Sequence, residues 1–155
     1  MMATAPVLSV VKEAPVIRKF DTADLSTHAQ WVLPRMLQVF THMDERMVAT
    51  FLQNIIYSNE YQFLCNDEGV ALCQVMSGSP IDPTVVVLER FVWVKDPTDV
   101  AMQKRAAEFY SCIYRWAKGL GAQAILVEEN TDVPHEAIKE KLGRLYTRQQ
   151  QFARV

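Results

Sequence analysis

Hydrophobic residues recur with two different periods along this chain, and each period predicts one kind of element. Between Asp44 and Tyr57 the apolar side chains return every three or four positions, which is the spacing of a helix with one buried face. Over residues 84–95 the apolar run is interrupted only by Glu89 and Arg90, so we predict a strand that is covered on both faces. Helices and strands are therefore expected together in one domain.

The first half of the chain is predicted to form a strand, two helices and a hairpin. A short strand over residues 16–20 leads into a helix that Asp21 caps, and this helix is expected to break or kink at Pro34, because proline removes a backbone donor. The helix at Asp44 follows. Apolar runs over 61–65 and 70–76, separated by a short polar turn, predict an antiparallel hairpin.

In the second half, helices and strands are predicted to alternate after the covered strand. Asp96 is expected to cap a long helix, with Pro97 at its first position and glycines near its end. A strand over 124–128, a helix over 134–142 and a last edge strand over 145–155 follow. The predicted order is β α α β β β α β α β.

Several short motifs stand at definite places in this order. Trp-Ala-Lys-Gly-Leu-Gly-Ala ends the long helix at 116–122, Asn130 follows the next strand, and Lys141-Leu142-Gly143 precedes the last strand. The hairpin strands read Tyr-Gln-Phe-Leu-Cys and Val-Ala-Leu-Cys-Gln-Val around Asn-Asp-Glu-Gly. Together these features resemble the GNAT superfamily of N-acetyltransferases over residues 16–155. Residues 1–15, which contain an apolar stretch without helical periodicity, are predicted to be an extended N-terminal arm.

The resemblance implies an α+β fold. It is a GNAT-like three-layer domain, in which a mixed, mainly antiparallel, twisted sheet has helices on both faces. Strands 84–95 and 124–128 are expected to lie adjacent and parallel at the centre, because a long amphipathic helix connects them.

The resemblance also implies acetyl-CoA as cofactor, with its pantetheine on backbone groups of the fourth strand and its pyrophosphate in the following loop. The family's loop is rich in glycine, whereas residues 95–107 contain none and carry Asp96 and Asp99 instead. Two interpretations stay open, in which side chains hold the phosphates or the loop is an ordinary helix start. The residues placed at the cofactor are Val92, Val94, Lys95, Gln103, Lys104, Arg105 and Asn130.

Glu89 is the candidate catalytic base for taking a proton from an amine substrate. In an apolar strand its carboxyl must meet water, pair with a cation or have a raised pKa. Arg90 is expected on the opposite face of the sheet. A structural ion pair or exposure at a sheet edge is the alternative role for Glu89. In the family a tyrosine often serves as the general acid, but this chain has Lys139 at the corresponding position.

Charge and composition narrow the classes of partner. The chain has 155 residues and a net charge of −2, so it lacks the positive field typical of nucleic-acid-binding domains. Its apolar runs fall far short of the roughly twenty residues that cross a bilayer, and its N-terminus lacks the basic cluster followed by an apolar core that is typical of a secretion signal. Nucleic acid and membrane are therefore not expected as partners, and we expect a cytoplasmic protein.

Cysteines and histidines indicate no metal site. The three cysteines are odd in number and widely spaced in apolar surroundings, which favours reduced, buried thiols over disulfides. The histidines stand apart without partners at ligand spacing and are expected on the surface or in loops. These residues are Cys65, Cys73, Cys112, His28, His42 and His135.

Two functions from different classes follow. The first is a GNAT-like N-acetyltransferase that transfers an acetyl group from acetyl-CoA to an amine. The second is a non-catalytic GNAT-fold structural or assembly protein, for example in a virus particle or a multi-subunit complex. In that case the arm, residues 1–15, would dock on its own domain or on a partner's sheet edge, in a homo-oligomer or another assembly.

Overall fold

The computed structural model describes residues 15–77, 81 and 84–148, and its elements follow the predicted order. Residues 1–14 of the predicted arm and 149–155 of the predicted last strand lie outside the described residues. Within the described part, no helix is both long enough and apolar enough to span a bilayer. The elements are β1 (Arg18–Lys19), α1 (Thr22–Val39), α2 (Glu45–Ile55), β2 (Tyr61–Cys65), β3 (Gly69–Ser77), β4 (Val85–Val94), α3 (Val100–Gly119), β5 (Ala124–Val127), α4 (His135–Leu142) and β6 (Tyr146–Arg148).

The six strands form one sheet in the order β1-β2-β3-β4-β5-β6. Strands β1 to β4 pair antiparallel, whereas β5 pairs parallel with both β4 and β6. The parallel ladder between β4 and β5 runs from Val86 opposite Ala124 to Glu89 opposite Val127. The expected parallel pair at the centre of a mixed sheet is therefore confirmed.

Helices cover both faces of the sheet, as the three-layer architecture requires. One face carries α1 and α2, which pack with Phe63, Leu72 and Phe91. The other face carries α3 and α4, which pack with residues that alternate with these, such as Ala71 and Val92. Because neighbouring strand residues point to opposite faces, the nearly continuous apolar run in β4 serves both cores.

Helix α1 continues through Pro34, so of the predicted break or kink the break is wrong. Proline in a helix interior costs about 3 kcal/mol, because it removes one backbone hydrogen bond and crowds the preceding turn. Val32 and Met36 lie on either side of Pro34 and are almost completely buried in the core. Packing of this stripe against the sheet stabilises the helix by more than the proline costs.

Helix α3 begins later than predicted, because Asp99 and not Asp96 caps it. The Asp99 carboxylate accepts a hydrogen bond from the backbone N–H of Met102 at 3.2 Å. Asp96 accepts from the N–H and hydroxyl of Thr98 and so closes a separate turn before the helix. Pro97 lies in that turn, so the Asp-Pro pair that resembled a helix start is a turn signal here.

Gly69 begins β3 where the chain passes very close to β4. A Cβ atom at this position would lie 2.4 Å from the carbonyl oxygen of Trp93 and 3.4 Å from the ring of Phe109. The first distance is impossible without a shift of the backbone, so only glycine fits the observed approach of the two strands.

Gly69→Ala should lower the free energy of unfolding by about 1–3 kcal/mol, because the added methyl group meets backbone rather than a movable side chain. Gly119→Ala is the matched control, since a Cβ there has no neighbour within 4 Å and alanine favours the helix. Urea unfolding of both variants and the wild type measures this. Equal stability of the two variants would contradict the close approach.

Candidate functional site

A β-bulge interrupts β4 at the centre of the sheet. Leu72 of β3 pairs with Phe91, but the next residue, Cys73, pairs with Glu89, so Arg90 is the extra residue. The bulge leaves Glu89 directed at α3, where Tyr110 contacts it, and Arg90 on the face of α1 and α2. The predicted separation of the two charged side chains onto opposite faces is therefore correct.

The Glu89 carboxyl is fully buried. The Tyr110 hydroxyl donates to its Oε2 at 2.9 Å, and its Oε1 has no hydrogen-bond partner among the described residues. Burial raises the pKa of Glu89 well above its usual value, which favours the protonated, uncharged carboxyl in the folded protein. Of the three environments expected for Glu89, the burial of its carboxyl corresponds to the one with a raised pKa. Its role as a base stays a prediction, which requires the carboxyl to meet solvent.

Tyr110 connects this carboxyl to the segment that follows β5. Its hydroxyl lies 2.6 Å from the hydroxyl of Thr131, which also accepts a hydrogen bond from the N–H of Val133 at 3.2 Å. Burial raises the pKa of Tyr110 as well, so the phenol keeps its proton. The result is an uncharged hydrogen-bonded chain from β4 through α3 to the segment after β5.

Residues 130–132, here called the closing segment, lie along the side of β4 that faces β5, beyond the point where the two strands stop pairing. The N–H of Val92 donates to the carbonyl of Asn130 at 3.3 Å, and the N–H of Asp132 donates to the carbonyl of Val92 at 2.9 Å. The N–H of Val94 donates to the Asp132 carboxylate at 3.0 Å. The backbone groups assigned to pantetheine by the resemblance are thus satisfied by the chain itself.

An ion pair fixes the closing segment to α1. Arg35 donates to both carboxylate oxygens of Asp132, at 2.6 and 2.5 Å, and its guanidinium carbon lies 4.6 Å from the ring centre of Trp93. Two parallel charge-assisted hydrogen bonds are strong and directional. Asp132 therefore joins α1, β4 and the segment after β5 at one point. Neither member of this pair was predicted from the sequence.

Two of the residues proposed for the phosphates bind to other parts of the chain. Arg105 donates to both oxygens of Glu68, with distances of 2.6 to 3.1 Å. The Gln103 side chain donates to the carbonyl of Pro97. Both side chains therefore stabilise the start of α3 and its contact with the β2–β3 turn.

The other phosphate candidates and the helix start also differ from an anion cradle. Lys95 and Lys104 are exposed. The Asp99 side chain accepts a hydrogen bond from one of the backbone N–H groups that would otherwise face an anion. Asp96 places a second carboxylate just before the helix. Like charges at this point repel a phosphate. The described geometry corresponds to an ordinary capped helix, and the phosphate-binding role of these residues stays a prediction.

Asp24, His28 and Cys65 form a buried cluster that sequence analysis missed, with potential ligand atoms within 4.8 Å of one another. His28 is only 1% exposed, so the expected surface position is wrong. Arg18 donates to both Asp24 oxygens, and Trp31 donates to His28 Nδ1, which leaves the proton on Nε2. Burial raises the pKa of Cys65 to about 12. The cluster ties β1 to α1, and both Asp24 oxygens and His28 Nδ1 already accept hydrogen bonds within it.

The neutral state of Glu89 predicts a pH dependence. Because its pKa is raised in the folded protein, the unfolded chain ionises first, and stability falls as pH rises above about 4.5. Glu89→Gln removes this loss, so the stability of the variant relative to wild type should grow from pH 4 to 7. The slope is at most about 1.4 kcal/mol per pH unit.

Urea unfolding across this pH range tests the prediction, with Glu140→Gln on the exposed side of α4 as control. Parallel pH profiles for wild type and Glu89→Gln would mean that Glu89 is ionised in the folded protein.

The Arg35–Asp132 pair should contribute measurably to stability. Arg35→Gln leaves a nearly buried carboxylate without its partner, and we expect a loss of about 2 kcal/mol, since Arg35 is only one quarter exposed. Arg148 and Glu129 supply the control, because this pair is 3.6 Å apart and more than half exposed. Arg148→Gln should cost less than about 1 kcal/mol. If thermal unfolding shows the same loss of stability for both variants, the Arg35–Asp132 pair contributes no more than an exposed ion pair.

Comparison with known proteins supports the architecture. No family model matches this chain, and no curated protein sequence matches it. Among solved structures, one described as a probable acetyltransferase aligns with a TM-score of 0.62 at 14% identity, covering 88% of this chain and 91% of its own. An aminoglycoside 6′-N-acetyltransferase from Acinetobacter haemolyticus gives a TM-score of 0.56 at 12% identity, covering 88% and 95%.

An acetyltransferase from Vibrio fischeri gives a TM-score of 0.55 at 12% identity, covering 77% of this chain and 98% of its own. Likeness at these identities establishes the fold and leaves activity to the site. The chain therefore has the GNAT-like fold of these acetyltransferases.

Proposed function

We propose that this protein uses its GNAT-like fold without catalysis, as a structural or assembly component. The closing segment carries this proposal. It occupies the edge of β4 at Val92 and Val94, where the resemblance places the pantetheine of acetyl-CoA. A protein that fills this edge with its own backbone has no free pairing groups to offer a cofactor there.

The residues present do not fit acetyl-CoA. Pantetheine would have to break two backbone hydrogen bonds of Val92 and the bond between Val94 and Asp132. Displacing Asp132 would also separate it from Arg35 and leave a charge unpaired. At the phosphate end, the stretch 95–107 lacks the glycines that let a backbone approach an anion. Each step costs free energy that the cofactor's contacts would first have to offset.

Acetyl transfer to an amine is the second candidate, and the pair of Glu89 and Tyr110 favours it. Thr131 of the closing segment contacts Tyr110, so movement of that segment would uncover a carboxyl and a phenol on the α3 face. A carboxyl and a phenol are the kinds of group that exchange protons in general acid–base catalysis. This candidate requires the closing segment to leave β4.

The position of the arm supports a role in assembly. It enters the fold through Pro15 and Val16, and Val16 is 85% exposed. The next element, β1, is a two-residue strand at the edge of the sheet. The apolar residues 7–11 therefore precede an edge to which further strands can add, from the same chain or another. We place this assembly in the cytoplasm, because the three described cysteines are free thiols.

Isothermal titration with acetyl-CoA at low ionic strength separates the two candidates. We expect no saturable binding to the wild type, and no rise in melting temperature. A bound ligand at a hundredfold over its dissociation constant would add about 2.7 kcal/mol to stability. Asp99→Asn keeps a good helix cap while removing one negative charge, so any latent affinity for phosphate should appear first in this variant. Tight binding by the wild type would restore the acetyltransferase interpretation.

Deletion of residues 1–14 tests the assembly role. Light scattering after size-exclusion chromatography should show that the full chain self-associates or binds a partner and that the shortened chain does not. Residues 15–148 hold both cores, so the shortened chain should keep its melting temperature. An unchanged association state after the deletion would exclude the arm as the contact.

A further inference from the structure

A cavity of about 300 Å³ opens on the face of α1 and α2, at the β4 bulge. Its walls are mostly apolar and come from α1, α2, β2 and β3, with Met36, Phe51 and Leu72 among them. Arg90 also lines it, and a shallower apolar groove that includes Arg46 adjoins it at Phe51. This volume is at the lower end of the range for small-molecule sites.

Arg90 is held in place at this cavity without using all its donors. Its Nε and Nη2 donate to Gln74 Oε1 at 3.2 and 2.9 Å, and its Nη1 donates to Glu128 Oε1 at 3.1 Å. A guanidinium has five N–H groups, so these contacts leave two for a ligand. The side chain is 35% exposed, which makes it accessible from the cavity.

The charges around the cavity select the ligand's head group. Among the described residues, no acidic side chain lines the cavity or the adjoining groove, and both include an arginine. An ammonium group entering here would meet the guanidinium of Arg90, whose carboxylate partner Glu128 does not line the cavity, so the nearest charge would repel it. A carboxylate would accept charge-assisted hydrogen bonds from the guanidinium while its apolar part contacts the walls.

We propose that this cavity binds a small monocarboxylate with a compact aromatic or aliphatic body, its carboxylate on Arg90 and its body against the Met36, Phe51 and Leu72 walls. The inference does not depend on the proposed function, because the cavity lies on the opposite face of the sheet from Glu89 and Tyr110.

Three ligands that share one apolar body and differ in head group test the proposal. They are 4-phenylbutyrate, 4-phenylbutanol and 4-phenylbutylamine, titrated calorimetrically into the full wild-type chain. We expect the acid to bind at least tenfold more tightly than the amine, with the alcohol between them. Equal affinities, preference for the amine, or no binding of the acid at millimolar concentration would overturn the proposal.

Two substitutions with opposite expected effects locate the binding site. Arg90→Gln should remove the preference for the acid while leaving the alcohol's affinity nearly unchanged. Glu128→Gln removes the carboxylate that competes for the guanidinium, so the acid should bind several-fold more tightly. This second variant keeps the test decisive even where Arg90→Gln destabilises the fold. Arg115→Gln, on the exposed side of α3, is the control and should change nothing. Affinity for the acid that neither Arg90→Gln nor Glu128→Gln alters would place the ligand elsewhere and contradict the proposal.

Discussion

The edge of β4 beyond its pairing with β5 must be satisfied, and this requirement governs the centre of the molecule. The two strands pair only as far as Glu89 and Val127, and the N–H and C=O groups of Val92 lie past that point. Unpaired backbone groups in a protein interior cost about as much as a lost hydrogen bond, so such an edge needs a partner. Here the closing segment is that partner, and Asp132 anchors it to both Val94 and Arg35.

Because the closing segment pairs with β4, this chain can share a fold with acetyltransferases without sharing their cofactor site. The solved structures with similar architecture are acetyltransferases, but a shared sheet and helix arrangement carries no activity by itself. In this chain the bulge at Arg90 divides the centre into two environments. Glu89 and Tyr110 form an uncharged interior chain on one face, and Arg90 meets an open apolar cavity on the other. The second environment is the one that is accessible to a ligand.

Sequence periodicity predicted most of the fold, because local patterns determine it. The apolar run of β4 and the amphipathic stripe of α3 are each readable without any distant residue, and their connection implied the parallel pair. The failures are cases in which distant contacts decide. Pro34 stays helical because its neighbours are buried against the sheet, and His28 is buried because Trp31 and the core surround it.

The site was predicted less well for the same reason. Glu89 and Arg90 were recognised because charged residues are unusual in a buried strand. The ion pair of Arg35 and Asp132 joins residues 97 positions apart, and neither stands in a pattern that marks it. The closing segment has no periodicity either, so only the assembled structure shows that it fills the edge of β4. The helix cap was predicted at Asp96 but lies at Asp99, because the folded backbone decides which of the two carboxylates reaches the first N–H groups of α3.

Amide hydrogen exchange, followed by NMR at single residues, tests the closing segment most directly. The account predicts that the amides of Val92, Val94 and Asp132 exchange slowly in the free protein, as paired interior groups do, and that adding acetyl-CoA leaves their rates unchanged. Rapid exchange of these three amides in the free protein, followed by protection when acetyl-CoA is added, would contradict it. That result would mean that the edge of β4 is open and that the cofactor, not the chain, completes it.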